Sequence, residues 1–378
     1  MKPSSHDITD FTQANGSSFS GGDSELGFQC TRLISGLGAG VDQVTLNCGN
    51  KKLVVLPTRG MGIWEAHHGD VRFGWDSPIQ GPVHPALVPV AEPSGLGWLE
   101  GFDEMLVRCG LASNGAPDFD SNGILTWPLH GRIANLPAVN VSVDIDQDAG
   151  KITIRGTVHE FRFHIRKLQL ETEISMQLDS NEISITDRVT NLSNRPDSFQ
   201  MLYHCNFGQP VLQPGSHFHA PIKRLVPRDD HAATGIDQWN QYGPSDATES
   251  EQVYFMELAT DEDNNSVVVL TNPEESLGVS IGHDVSTLPC FTLWKNTVGM
   301  DDGYVTGLEP GTNFPNPRSF EEAKDRVVKL APGSSQTMKL QIGMLVDRES
   351  VSAAKQKVES LRVSDPEVSK TPTADWCS

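Results

Sequence analysis

Apolar and polar residues alternate over most of the chain, and this period of two predicts β-strands. The clearest run carries its apolar side chains at Leu168, Leu170, Ile174, Met176, Leu178, Ile183, Ile185 and Val189. Turn residues separate such runs, for example at 148–150 and 179–181. These signals recur roughly every 8–12 residues, which is typical of all-β sandwiches and barrels. The pattern therefore predicts one large antiparallel β domain.

Both ends of the chain have a different character. Residues 1–25 are rich in Ser, Gly, Asp and Asn, and we expect a flexible tail or lid there. Residues 26–346 carry the strand pattern, and residues 347–378 are predicted to form a helix and a tail. Asp347 is placed to cap that helix, whose apolar face carries Val351, Ala354, Val358 and Leu361. A second short helix is predicted at 319–326. These two helices do not alternate with strands as βαβ units require, so a parallel α/β sheet is not expected.

The charge balance narrows the possible functions. The chain has 378 residues, with 29 Lys and Arg against 49 Asp and Glu, a net charge of −20. Such an acidic surface repels phosphate backbones and anionic lipids, so nucleic-acid and membrane partners are not expected. We find neither a run of about 20 apolar residues nor a signal-like apolar core. The six cysteines form no CxxC pair, which predicts reduced thiols and a cytoplasmic location.

Two motifs suggest cofactors, but their context argues against them. The glycine-rich segment 36–40 precedes a strand-like run rather than a helix, so a turn is expected instead of a dinucleotide site. His217 and His219 would share one face of a strand, as a metal pair requires. The carboxylate expected a few residues later is missing, so no metal site is predicted.

Candidate acid–base chemistry lies in segments rich in Gly and Pro. His204 and Asn206 would share one strand face, where a histidine can serve as a general acid or simply as a hydrogen-bonded core residue. Glu309 precedes a Pro-Gly turn, where it is either a partly desolvated base or an exposed turn residue. Charged or titratable residues in comparable settings are Arg59, His130, Arg132 and Lys295. Candidates for stacking on a ligand ring are Trp64, Trp75, Trp98 and Trp294.

Taken in order, several segments resemble the aldose 1-epimerase (galactose mutarotase) superfamily, in a poorly characterised aldose-epimerase-like branch. The informative segments are LHGRI, LYHCNFG and GLEPGTNFPN, supported by PTRGMGIWEA, GWDSPIQGPVHP, GLGWLEGF, LVRCGLASNGAP and LPCFTLWKN. The resemblance implies a large antiparallel β-sandwich whose concave face binds a sugar. It also implies that His204 protonates the ring oxygen and that Glu309 removes the anomeric hydroxyl proton. His130 inherits a hydroxyl-binding role, with Arg132 beside it.

The expected activity is therefore sugar-anomer interconversion by ring opening, with no metal or cofactor. The expected substrate-binding residues are Arg59, His130, Arg132, Asn206, Trp294 and Lys295. Three departures from the family pattern leave the sugar open: Arg132 replaces a second glycine after the loop histidine, the family's separate arginine motif is not evident, and its substrate-binding aspartate has no match. The extra arginine raises the hypothesis of an acidic or sulfated sugar. Alternatives are a non-catalytic carbohydrate-binding or regulatory module, another sugar isomerase or lyase, and a metal enzyme using His217 and His219. The oligomeric state is open.

Overall fold

The computed structural model describes residues 3–9 and 18–378. Strands dominate these residues and are numbered in chain order. The first twelve are β1 (Ser4–Asp7), β2 (Ser18–Gly22), β3 (Leu26–Arg32), β4 (Asp42–Cys48), β5 (Lys51–Leu56), β6 (Gly62–His68), β7 (Val71–Phe73), β8 (Leu106–Leu111), β9 (Asp118–Phe119), β10 (Leu125–Trp127), β11 (Ala138–Asp146) and β12 (Lys151–Arg162). The others are β13 (Arg166–Gln177), β14 (Glu182–Asn191), β15 (Asp197–Phe207), β16 (His217–His219), β17 (Ile222–Pro227), β18 (Gln252–Leu258), β19 (Asn265–Thr271), β20 (Gly278–Asp284), β21 (Cys290–Asn296), β22 (Val305–Gly311), β23 (Val328–Leu330), β24 (Ser335–Leu345) and β25 (Glu367–Val368).

Helices are few and short in this part of the chain. The α-helices are α1 (Asp230–Thr234), α2 (Arg318–Ala323) and α3 (Arg348–Leu361). Single 3₁₀ turns occupy Gly36–Gly38, Pro57–Arg59, Pro85–Leu87, Gly97–Gly101, Ile133–Asn135, Ile236–Gln238 and Met300–Asp302. The predicted C-terminal helix is confirmed, because Asp347 accepts the Ser350 N–H in a capping box and the expected apolar face packs on the domain.

Two large sheets contain nearly all the described strands. The first has nine strands in the order β1-β11-β12-β13-β14-β24-β20-β19-β16. The second has fourteen, twelve of them in the order β2-β3-β4-β5-β6-β8-β15-β22-β21-β18-β17-β25, with β7 on β6 and β23 on β15. Neighbouring strands are antiparallel apart from the β17–β25 pair. The all-β antiparallel prediction is thus confirmed as a β-sandwich.

The main core lies between the two sheets and is built from the alternating apolar positions. In β13 the apolar side chains of Leu168, Leu170, Ile174 and Met176 are buried, and most of the residues that alternate with them are polar. A slip of one residue would turn this whole set to solvent, so the apolar pattern specifies the register.

A buried polar cluster crosses this apolar core. Arg108 of β8 donates from Nε and Nη2 to both carboxylate oxygens of Asp187 in β14, at 2.5 and 3.1 Å. The Tyr203 hydroxyl donates to Asp187 Oδ2 at 2.9 Å, and Arg108 Nη2 also donates to Thr172 Oγ1 at 2.8 Å. Because these groups come from both sheets and are fully buried, the cluster ties the second sheet to the first.

The N-terminal segment, which was predicted to be a flexible tail, contains strands in the residues that the structure describes. Ser4–Asp7 pairs with β11, Ser18–Gly22 pairs with β3, and Ile8 is buried in the core. Polar sequences can do this at a sheet edge, since the backbone hydrogen bonds do not depend on apolar side chains. At the other end, β25 pairs with β17 and the Trp376 ring lies 4.7 Å from Phe314.

Candidate active site

Two neighbouring strands of the second sheet bring His204 and Glu309 together. β15 and β22 are antiparallel, and the pairs Leu202–Gly311 and Cys205–Leu308 set a register that places His204 opposite Glu309. Alternation turns Tyr203 and Cys205 into the core and His204 to the outer face, as predicted. His204 Nε2 lies 3.1 Å from Glu309 Oε1, so residues more than a hundred positions apart form one pair.

Asn206 determines which nitrogen of His204 carries hydrogen. Its amide nitrogen donates to the backbone carbonyls of Glu104 and His204, at 2.9 and 3.2 Å. Its Oδ1 is therefore an acceptor, and His204 Nδ1 donates to it at 2.6 Å. This leaves Nε2, the nitrogen that faces Glu309, free to take or give a proton.

Burial favours the uncharged forms of both members of the pair. Desolvation, followed by the field of His130, lowers the pKa of His204 well below 6.5. Desolvation, followed by the charge of Glu251, raises the pKa of Glu309 well above 4.5. Shifts in these directions favour a pair that carries one proton on Glu309, with His204 neutral.

The loop after β10 brings His130 beside the His204–Glu309 pair. The residue has a φ of +54°, and the following Gly131 has a φ of +72°. A Cβ on Gly131 would lie 2.2 Å from the Ser113 carbonyl oxygen, so only glycine fits this turn. His130 Nδ1 donates to the Asn114 carbonyl at 2.8 Å, which leaves Nε2 as an acceptor. Desolvation lowers the pKa of His130 to about 4, so it is neutral at neutral pH.

These residues line a pocket of about 270 Å³. Its aromatic walls surround His204, with ring centroids at 5.0 Å for Phe102, 5.3 Å for Trp294 and 5.4 Å for His130. Three buried polar atoms on its lining residues have no hydrogen-bond partner within residues 3–9 and 18–378: Trp98 Nε1, Thr292 Oγ1 and Glu309 Oε1. Glu309 Oε1 lies 3.1 Å from His204 Nε2, but the two atoms do not form a hydrogen bond. Unpaired buried groups are costly, and a ligand with several hydroxyls would satisfy them.

Two charged residues of this pocket were missed by the sequence analysis. Arg228 donates to Glu251 at 3.0 Å and to Asp229 at 3.0 Å, and the Trp294 indole donates to Glu251 at 2.7 Å. Neither Arg228 nor Glu251 lies in a distinctive motif, so no local signal was available. Thr292 was also missed, although its two-residue spacing from Trp294 places it on the same strand face.

Several predicted site residues lie elsewhere. Arg59 is buried and donates to Glu104 Oε1 at 2.6 Å. It thereby supports Glu104, whose backbone carbonyl accepts a hydrogen bond from the Asn206 amide. Lys295 faces the opposite side of β21 from Trp294, where it donates to the Gln241 carbonyl at 2.8 Å. Arg132 lines a second cavity. The structure thus brings His130, His204, Trp294 and Glu309 to the pocket, with Asn206 behind His204.

The remaining motifs fall outside the pocket. Residues 36–38 form a 3₁₀ turn before β4, as expected for a glycine-rich turn. His217 and His219 share β16, their ring centroids 6.4 Å apart, and the described residues contain no group of three His, Cys, Asp or Glu side chains placed to hold a metal. Nor do those residues include a helix long and apolar enough to cross a membrane.

Comparison with known proteins agrees with this architecture. Residues 38–344 match the model of a family described as a domain of unknown function, DUF4432. The chain belongs to this family, within the aldose 1-epimerase and galactose mutarotase-like superfamily. No curated protein sequence matches it.

Solved structures extend the comparison. A candidate aldose 1-epimerase from Klebsiella pneumoniae is 33% identical, with a TM-score of 0.92 over 98% of this chain and 99% of that one. A galactose mutarotase-like protein from Clostridium acetobutylicum is 13% identical, with a TM-score of 0.59 over 85% of this chain and 99% of that one. The galactose 1-epimerase from Lactobacillus acidophilus is 12% identical, with a TM-score of 0.57 over the same shares. The last two similarities concern the fold alone.

Proposed function

We propose that this protein is an aldose 1-epimerase that interconverts sugar anomers through ring opening. The observation that carries the proposal is the His204–Glu309 contact of 3.1 Å on the wall of a small aromatic pocket. Drug-sized ligands occupy pockets of roughly 300–1,000 Å³, so 270 Å³ suits a single monosaccharide.

The proposed reaction needs one proton shared by two groups. The step starts from the form in which the proton of the pair is on His204: Glu309 removes the proton of the O1 hydroxyl while His204 Nε2 protonates the ring oxygen, and the C1–O5 bond breaks as the C1=O1 double bond forms. Glu309 is then protonated and His204 neutral, which is the uncharged state that burial favours. After rotation about C1–C2, the two transfers run in reverse and close the ring on the other face. Each positioned group contributes about 10²–10⁴-fold to such a rate.

A neutral sugar fits the charges of the pocket better than an acidic one. Arg228 is already paired with Glu251 and Asp229, and Glu309 adds a further acidic group. An anionic ligand would therefore meet carboxylates without an unpaired cation. The hypothesis of an acidic or sulfated sugar rested on Arg132, which lines another cavity. His130 Nε2 and the unpaired atoms of Trp98 and Thr292 would instead bind neutral hydroxyls.

The test follows anomer exchange directly. Freshly dissolved α-anomers of glucose, galactose, mannose, xylose and arabinose are monitored by polarimetry with and without protein. We expect acceleration for at least one sugar and a loss of about 10²–10⁴-fold in Glu309→Gln. Glu182→Gln, at an exposed glutamate of β14, is the matched control and should retain the full rate. Full activity in Glu309→Gln would remove Glu309 from the mechanism. Sugar binding without acceleration would favour the binding-module alternative.

The cellular setting is also a proposal. We propose a cytoplasmic location, supported by six cysteines that are all unpaired, five of them buried. We likewise propose that residues 26–346 form the sugar-binding domain and that the protein acts in carbohydrate metabolism.

A further inference from the structure

A second cavity, which we term the cationic pocket, lies apart from the one that holds His204. It measures about 700 Å³ and lies across the 125–131 loop from that pocket. Its polar lining includes Arg132, Arg162, Arg166 and Glu160, and its apolar lining includes Phe161 and Ile165. The proposed epimerase reaction uses none of these side chains.

Two arginines of this pocket form no direct ion pair with any residue that the structure describes. Arg132 and Arg162 are exposed, and within the described ranges no carboxylate lies within ion-pair distance of either guanidinium. Unpaired guanidinium groups in a concave site favour binding of carboxylate or phosphate.

The carboxylates nearby are already engaged. Glu160 is buried and accepts the backbone N–H groups of Leu111 and Ala112, at 2.8 and 3.2 Å. Asp197 binds Arg166 through two hydrogen bonds of 3.2 and 3.1 Å. The charge of Arg132 acts on Glu160 without a direct contact, and both exposed guanidinium groups remain accessible to a ligand.

The apolar walls specify the rest of that ligand. Phe161 is 46% exposed, Ile165 58% and Ile124 64%, although all three line the cavity. Trp127 also lines it, but its ring lies within 5.5 Å of the Arg166 guanidinium and 5.4 Å of the Arg318 guanidinium. Burying the exposed apolar groups would stabilise a complex by the hydrophobic effect.

We propose that the cationic pocket binds a small organic anion, in which a carboxylate or phosphate is attached to an apolar body. The anionic group pairs with Arg132 and Arg162, and the body packs on Phe161, Ile165 and Ile124. This site is separate from the proposed epimerase site and does not depend on that activity.

The experiment measures binding by isothermal titration calorimetry at low ionic strength with the full chain. Phenyl phosphate and benzoate distinguish phosphate from carboxylate recognition, inorganic phosphate lacks the apolar body, and benzyl alcohol lacks the charge. We expect saturable binding of at least one aromatic anion, with inorganic phosphate and benzyl alcohol at least tenfold weaker. Arg132→Gln and Arg162→Gln should each weaken binding about tenfold or more.

Arg188→Gln removes the same charge from an exposed arginine of β14 and is the matched control. It should leave the affinity within twofold of wild type. Absence of binding by both aromatic anions would overturn the proposal, as would equal weakening by the control and the pocket variants. Sedimentation velocity on the same samples tests whether a second copy of the chain occupies this surface instead. Phe163 lies between the lining residues Phe161 and Ile165 and is 86% exposed. A dimer that dissociates on Phe163→Asp, without anion binding, would assign the surface to a second copy and would also overturn the proposal. Both arginines are exposed, so thermal unfolding should show folded variants.

Discussion

Asn206 offers a sharp test of the proposed mechanism, because it touches His204 but does not line the pocket. Replacing Asn206 with Ala removes the 2.6 Å hydrogen bond to His204 Nδ1 and the 2.9 Å bond to the Glu104 carbonyl. The buried Nδ1–H of His204 then loses its acceptor, at about 1–3 kcal/mol, whereas the Glu104 carbonyl keeps the Trp75 indole N–H at 3.1 Å. We therefore expect destabilisation of about 1–3 kcal/mol in urea unfolding.

The effect on catalysis should appear in kcat. Without Asn206 the imidazole can rotate or carry its hydrogen on Nε2, so only a fraction of molecules keep the productive tautomer. A positioned acid contributes about 10²–10⁴-fold, which limits the loss. We expect kcat to fall about 10–100-fold, or about 1.4–2.7 kcal/mol, with KM changed less than threefold. The assay is anomer exchange by NMR on the sugar that proves active, with ¹⁵N chemical shifts of His204 reporting the tautomer.

A second variant changes the charge beside His204 Nδ1, at the cost of the hydrogen bonds from the Asn206 amide nitrogen to the Glu104 and His204 carbonyls. Asn206→Asp keeps an acceptor for Nδ1 and adds a negative charge, which opposes the desolvation that lowers the pKa of His204. The acid limb of its pH–rate profile should therefore move to higher pH. Asn50→Ala, which removes an exposed Asn–His contact of 3.3 Å, is the control. Unchanged kcat in folded Asn206→Ala, or a loss confined to KM, would refute the reasoning.

Three further predictions follow from other parts of the structure. Glu309→Gln should become increasingly more stable than wild type as pH rises above about 4.5. The pKa of Glu309 is raised in the folded state, so wild type loses stability between the ordinary pKa of a glutamate and this raised pKa. Thermal unfolding of both proteins between pH 4 and 8 measures the difference, and parallel curves would contradict the prediction. Asp187→Asn should destabilise the protein by about 3–5 kcal/mol in urea, because it leaves the buried Arg108 charge without its partner, and a loss below 1 kcal/mol would count against the cluster. Gly131→Ala should lower both activity and stability, by at least about 1 kcal/mol, whereas Gly123→Ala, at a similar φ of +74° but with open space around it, should cost less and leave activity intact.

The sequence allowed much of the fold to be predicted, since periodicity reports burial directly. Alternation around Leu168 and Leu170 indicated strands, and Asp347 marked the start of the terminal helix. The pairing of His204 with Glu309 was expected from family resemblance, because no local pattern specifies which strands become neighbours across a hundred residues.

The charged residues were harder to predict. Arg59, Arg132 and Lys295 stood out in unusual segments, yet their directions depend on tertiary contacts that a single sequence does not contain. Arg228 and Glu251 were missed for the same reason: they lie at strand ends without a motif, and only the folded chain brings them beside Trp294. Exposed arginines and buried arginines look alike in a sequence, and the partners of each decide its role.

The bond between the Tyr203 hydroxyl and Asp187 has a mechanical consequence. Tyr203 precedes His204, so the strand that carries the imidazole is anchored through the interior to the opposite layer of the sandwich. Sliding of that strand would require breaking this buried hydrogen bond, so the position of His204 along the strand is fixed by the protein itself. The position of the His204 imidazole relative to Glu309 thus depends on contacts in the interior of the sandwich as well as on those in the pocket.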